Sequence, residues 1–432
     1  VAVGAWFRST PSPTLGSAAA PSIRQSVKFF VQSVVQPGPH FSTAAMPAPS
    51  ADACAHVARC EAMLRDEIRT NGGWLSFSRF MDRALYAPGL GYYAAGARKF
   101  GAAGDFITAP EISSLFGASI ARSLLPALQT TRGSVLELGP GSGKLAADVL
   151  LALDEAGQLP ESYLLLEVSA DLRERQQARL AALPAHLFER CRWLDALPSE
   201  FVGAVIANEV LDVLPVSLVS FSGGRVLERG VALEADTFVW RDEPLPLSSS
   251  DIAEAAEVVN RDVFAYAPPD DYLTEVAPQV AALSAAVAEM LVEGVVLWID
   301  YGFRRAEYYH PSRSTGTLMC HYRHYAHTDP FQYLGLQDIT AHVDFTLVAE
   351  AATNAGAALI GYTTQANFLL RAGLTELVSR VDPADAATYL GMTNQVQRLV
   401  SPAEMGEFFK VIGFAKGACT VEALASARQL PL

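Results

Sequence analysis

The sequence is poor in the features that build a disulfide scaffold or a membrane span. Its five cysteines (Cys54, Cys60, Cys191, Cys320 and Cys419) are odd in number, scattered, and include no C-x-x-C pair. That usage fits reduced thiols in a cytosol or matrix. Half of the residues are hydrophobic, yet no uncharged apolar run reaches the length of a membrane span. Four histidines (His321, His324, His327 and His342) cluster late in the chain without H-E-x-x-H or a cysteine-containing zinc spacing, so no metal is expected. Basic residues are outnumbered, giving a formal net charge of −14. An acidic body argues against nucleic acid as the main partner and is compatible with a basic protein substrate. Acidic residues are missing only from residues 1–50, which hold Arg8, Arg24 and Lys28.

Residues 1–59 are rich in Ala, Ser and Pro and keep no hydrophobic periodicity, so a disordered or leader-like extension is expected there. Basic, Ser-rich and acid-free composition is that of an organelle transit peptide. The plainer reading is a polar extension upstream of the folded domain, with Met46 as a later start. A cytoplasmic protein is expected, or a matrix one if residues 1–45 are a transit peptide.

What is present is a glycine turn at residues 134–143. Val135, Leu136 and Leu138 form a short apolar run that reads as a strand buried on both faces. Gly139, Gly141 and Gly143 then turn the chain, and residues 145–153 follow with helical spacing. Strand, glycine turn and helix are how a doubly wound α/β domain offers backbone to a nucleotide-like ligand. A dinucleotide fingerprint is spaced G-x-G-x-x-G and sets a pyrophosphate on the helix N-terminus. Here the spacing is G-x-G-x-G, with Glu137 just before the turn. A carboxylate there suits a cationic, hydroxyl-bearing ligand such as S-adenosylmethionine (SAM), which has no phosphate.

Further strands are expected at residues 163–168, 192–197, 201–207, 295–301, 357–362 and 409–415. Glu167, ending the second strand, is placed to accept hydrogen bonds from ribose hydroxyls. Asp195, ending the third, could meet an adenine amino group. The fourth delivers Asn208, Glu209 and Asp212, two carboxylates and an amide that are costly among apolar neighbours unless paired or functional. Helices are expected from about residue 60, from Ser76 toward Leu85, up to Leu128, after Ser169, and from 277 to 291. Alternation over 215–240 around Gly223–Gly224 predicts an inserted hairpin, with 241–272 irregular to helical. Residues 316–330 read as a polar substrate-facing loop, with Asp338 or Thr340 capping a helix from Val343. By pattern alone, Asp105, Thr108 and Glu111 are turn and cap chemistry.

Five blocks in order, at residues 84–93, 104–111, 137–143, 208–215 and 337–345, resemble the MidA-like family of SAM-dependent methyltransferases. The resemblance covers roughly residues 60–420. The fourth block departs slightly, since family members commonly place an aromatic or Ala near Val210–Val213. The resemblance implies an α/β, Rossmann-like class I methyltransferase sheet of about seven mostly parallel strands. It implies an N-terminal helical region (60–130) and a SAM-binding domain (131–425) with insertions at about 215–272 and 303–342. It raises Asp105, Thr108, Pro110 and Glu111 to lining of the SAM pocket, beside Glu137, Gly139, Gly141, Gly143, Glu167, Asp195 and Asn208. Mitochondrial members act in assembly of respiratory complex I as protein arginine methyltransferases. That implies a protein substrate, a complex I subunit being the analogue, and leaves the oligomeric state open, a homodimer included.

An arginine acceptor is planar and protonated, so carboxylates are needed to grip it and take its proton. Glu209 and Asp212 are the catalytic candidates, with Glu111 in reserve, and Asp300, Asp338 and His342 are expected to face the substrate. A non-catalytic SAM-binding assembly protein and an NAD-dependent oxidoreductase are the competing readings.

Overall fold

The computed structural model describes residues 46–95, 108–245, 250–382 and 384–425. The proposed leader at 1–45 and Asp105 lie outside them. Seven strands make the central sheet: β1 (Ser134–Leu138), β2 (Tyr163–Leu166), β3 (Cys191–Leu194), β4 (Phe201–Asn208), β5 (Leu291–Phe303), β6 (Ala358–Thr364) and β7 (Phe409–Lys416). Their spatial order is β3-β2-β1-β4-β5-β7-β6, and β7 alone runs antiparallel to its neighbours. A two-residue strand, Val343–Asp344, pairs with the end of β5. The chain winds outward from β1 to β3 and then returns to the other side of β1 with β4. In such sheets the crevice at that reversal, beyond the strands' carboxyl ends, receives the ligand.

The strands read as apolar runs because both faces are covered. Val135, Ile206 and Leu297 pack with helices Ser114–Thr131 and Lys144–Glu155 on one face. Leu136, Val205 and Trp298 pack with helices Pro278–Met290 and Phe345–Asn354 on the other. Each such side chain, fully buried, contributes roughly 1.5–3 kcal/mol relative to exposure. This is the class I methyltransferase architecture, and no helix among the described residues is long and apolar enough to cross a membrane. The five cysteines are all unpaired.

Two smaller sheets rise over the carboxyl edge. The expected hairpin exists, Ser217–Ser222 with Arg225–Glu234, turned by Gly223 and Gly224 at φ 57° and 72°. It belongs to a five-stranded antiparallel sheet with Trp74–Ser76, Thr237–Pro244 and Tyr272–Val276. The stretch expected to be irregular to helical, 241–272, holds the end of strand Thr237–Pro244, helix Ser250–Asp262 and the first residue of strand Tyr272–Val276. Residues 316–330 are likewise not a loop throughout: Met319–Tyr322 pairs with Tyr325–His327 and with Asp338–Thr340.

Three boundaries differ from the sequence expectation. The first helix begins at Ala51, capped by the Ser50 hydroxyl, and runs to Thr70. Its first two turns bury nothing before Cys60, so they carry no apolar stripe to read. The long apolar helix is preceded by a separate turn, Ala109–Ile112, and its cap is Ser113. Helix Phe345–Asn354 is capped by Asp344, whose carboxylate accepts from the N–H groups of Thr346 and Leu347. Asp338 and Thr340 lie in a strand instead.

Candidate functional site

One cleft of about 1250 Å³ opens over the carboxyl ends of β1, β2, β4 and β5. Its floor is the glycine turn. Gly139, Gly141 and Gly143 all take left-handed φ values of 60°, 53° and 76°. At Gly139 a side chain is also excluded by space, since a Cβ would stand 2.9 Å from Val210 Cγ2. Gly139, Pro140, Gly141 and Ser142 line the cleft, as do Thr108, Pro110 and Glu111 from the turn before the long helix. The Ser142 hydroxyl donates to Glu111 Oε1 and ties these two segments together. Gly143 itself is not in the lining: it caps the following helix, and a Cβ there would press to 3.3 Å from Gln176.

The two strand-end glutamates differ in how free they are. Glu137 alternates onto the face shared with Val135, so it is buried, and its Oε2 accepts the Tyr163 hydroxyl at 2.6 Å. Burial pushes its carboxyl up to about 7, against the pull of that phenol. Glu167 follows β2, lines the cleft, and is held from behind by the Ser169 N–H at 2.8 Å and the Gln176 amide at 2.9 Å. Asp195 does not join them. β3 ends one residue earlier, and the Asp195 side chain is 91% exposed and paired with Arg173 at 2.9 Å. Asp195 is not among the residues that line the cleft.

The opposite wall starts at the end of β4. Glu209 is held at φ 55°, a conformation that costs a non-glycine residue of order 1 kcal/mol or more. Its N–H donates to Ile299 O at 2.9 Å, and the Asn208 amide donates to its Oε1 at 2.9 Å. Burial, and then the charge of Asp212, push Glu209 up to about 8. Burial also lifts Asp212 to about 7, while a hydrogen bond from the Tyr301 hydroxyl opposes it. Asn208 Oδ1 and Asp212 Oδ1 are buried with no partner among the described residues.

Asp300 was expected to face substrate, and it does not line the cleft. It is buried behind the wall, where Oδ2 accepts from the N–H groups of Val210, Leu211 and Asp212 at 3.2, 2.9 and 3.4 Å. Oδ1 accepts from Tyr301 N at 2.9 Å. Four N–H donors are satisfied there, so its task is to hold the loop that carries Glu209 and Asp212. Asp338 and His342 do line the cleft. Asp338 accepts the Tyr93 hydroxyl at 2.9 Å, and Tyr93 stacks on Tyr86. His342 packs edge-on to Tyr301, and burial, then Arg313 and Lys410, push it down to about 3, so it is neutral. Tyr86, Tyr93 and Tyr301 carry much of this wall and were not singled out as site residues, because phenols 208 to 215 residues apart have no shared spacing to read. The block at 84–93 was the available signal.

Residues 119–363 match the Methyltransf_28 family model, described as "Putative S-adenosyl-L-methionine-dependent methyltransferase". The chain belongs to that family. A solved structure of a COG1565 superfamily member from Burkholderia thailandensis, a likely methyl transferase bound to S-adenosyl-homocysteine, is 47% identical. The match covers 88% of this chain and 98% of that one, with a TM-score of 0.83. The mitochondrial proteins named protein arginine methyltransferase NDUFAF7 (Danio rerio) and its homolog (Drosophila melanogaster) are each 29% identical. They are matched over 80% and 82% of this chain and 85% and 84% of their own. A member of this methyltransferase family uses SAM, which sets the nicotinamide reading aside. The cleft fits it: a floor too tight for any Cβ at Gly139, unpartnered acceptors at Asn208 and Asp212, and acidic walls around a cationic ligand.

Proposed function

We propose that this methyltransferase modifies arginine side chains of a protein. The observation that carries the proposal is the pair Glu209, half-buried, and Asp212, buried, set on one loop in the same cleft as the glycine turn. Two carboxyls lifted by burial, with no lysine or arginine hydrogen-bonded to them among the described residues, are matched to a cationic guest. A guanidinium entering the pair would lower both values and draw the protons out, leaving two acceptors for its planar N–H fork.

When bound, the cofactor supplies a methyl group already activated by the positive sulfonium. Glu209 and Asp212 orient the acceptor nitrogen toward it, and the buried walls hold water away. As the nitrogen forms its N–C bond the methyl's bond to sulfur breaks, and Glu209, which lines the cleft, would receive the proton that the nitrogen sheds. The Tyr301 hydroxyl donates to Asp212, which opposes the upward push of burial and aims the carboxyl. In the same reading Thr108, Pro110, Glu111, Glu137, Gly139, Gly141, Glu167 and Asn208 hold the cofactor, and Asp338 and His342 flank the substrate. The names of the mitochondrial relatives support arginine as the acceptor, and the MidA-like resemblance extends the proposal to a respiratory complex I subunit. The proposed compartment is the cytoplasm, or the mitochondrial matrix if residues 1–45 serve as a leader. Mass spectrometry of methylated arginines in cells with and without this chain tests the proposal. Loss of a defined methylarginine peptide supports it; an unchanged methylarginine profile beside altered methylation of another residue type overturns it.

A further inference from the structure

Helix Ala170–Leu180 buries Leu172, Gln176 and Leu180, three positions four residues apart on one face. The middle one is polar and fully buried, which costs free energy unless every polar atom is bonded. At Gln176 they are. Nε2 donates to Gly141 O at 2.9 Å and to Glu167 Oε2 at 2.9 Å, and Oε1 accepts from Trp193 Nε1 at 3.0 Å. The amide has only one way round: an indole N–H can only donate, whereas a carbonyl and a carboxylate oxygen accept. The absent Cβ of Gly143 is what lets this helix come so close to the turn.

We propose that Gln176 is the positioning residue for the cofactor's ribose, fixing Glu167 and the glycine turn as one unit. The proposal rests on Glu167 holding the ribose hydroxyls. Glu167 has one oxygen held by Ser169 N and the other by Gln176, so its carboxylate plane is set where it lines the cleft. The same amide holds Gly141, whose backbone floors the cleft. Through Trp193 the lock reaches β3, so three strand ends of the sheet share one side chain.

The test is calorimetric binding of S-adenosylhomocysteine and of its 2′-deoxy analogue to the full chain. The wild type should prefer the ribose form by about tenfold or more, the scale of a hydrogen bond to a charged group. Gln176→Glu and Gln176→Met, both near the original shape, should collapse that preference to within about threefold. Trp193→Phe, which frees the amide to turn without touching the cleft, should collapse it partly and serves if the Gln176 variants do not fold. A preference kept in every folded variant, however much overall affinity falls, overturns the proposal, because a merely structural side chain would weaken both ligands alike. No preference in the wild type overturns it too, through Glu167, and leaves arginine methylation to be judged by the methylarginine profile alone.

Discussion

The two walls of the cleft are built on different plans. The wall proposed to hold the cofactor is mostly local: a glycine turn, the residue after the next strand, and one helix that clamps them lie within residues 137–180, joined by the 108–111 turn and Asn208. The wall proposed for the acceptor is assembled from Tyr86 and Tyr93, the 209–214 loop, Tyr301, and the 338–342 segment, brought together only by the tertiary fold. The first works mainly through backbone and fixed carboxylates. The second works through titratable groups that burial has pushed far from their ordinary range. A site divided this way lets binding of the donor be altered separately from handling of the acceptor's proton.

Changes on the acceptor wall should therefore cost turnover while sparing cofactor affinity. Glu209→Gln should lower methyl transfer by about a thousandfold, the scale of a lost general base, with S-adenosylhomocysteine affinity within threefold of wild type. Radiolabelled transfer beside calorimetry reads both numbers; parallel losses would erase the distinction between the walls. Asp300→Ala removes the acceptor for three consecutive N–H groups and should cost about a hundredfold, as a small misplacement of reacting groups does. Faster amide exchange at Val210 and Leu211 should accompany it.

On the cofactor wall the signature reverses. Gly139→Ala forces a Cβ against Val210 at a left-handed position and should weaken cofactor binding about tenfold or more. Turnover at saturating cofactor should fall far less. Tyr93→Phe frees Asp338 of a phenol and should change the Michaelis constant for the acceptor only a few fold.

A separate effect is on stability against pH, without ligand. Glu209 and Asp212 sit above their ordinary 4.5 and 3.8, at about 8 and 7, so the folded chain binds protons that the unfolded chain releases. Their contribution to stability is whole below about pH 4 and is lost as pH rises through 7 to 8. Denaturant midpoints should fall between pH 5 and 8.5, and Glu209→Gln should flatten that slope. An equal slope in the variant would assign the pH dependence elsewhere.

The same division explains what the sequence disclosed. β1, the glycine turn and the strand ends at Glu167 and Asn208 were legible, because a doubly wound sheet writes its ligand crevice into short contiguous segments. Gln176 was passed over, since a glutamine in a charged helix looks solvated until its burial between Leu172 and Leu180 is known. Asp195, also at a strand end, stands outside the lining of the cleft and pairs with Arg173 instead, a pairing that sequence pattern does not show. Asp300 stood at the carboxyl end of an apolar strand, as ligand-binding acids do, but its partners are backbone N–H groups that sequence pattern does not show. The strand Tyr272–Val276 depends on a distant pairing partner, Ser217–Ser222, so no local period announced it.

Ile299, Asp300 and Tyr301 each lend a different group to the loop after β4: a carbonyl, a carboxylate and a phenol. Neighbouring residues on a strand point to opposite faces, so a slip of β5 by one place against β4 would offer all three to the wrong recipients. Here Ile299 stands opposite Asn208. The alignment of two hydrogen-bonded strands thus acts as the key to the loop that carries the proposed base, and a single inserted residue in β5 would displace that loop while leaving the glycine turn standing.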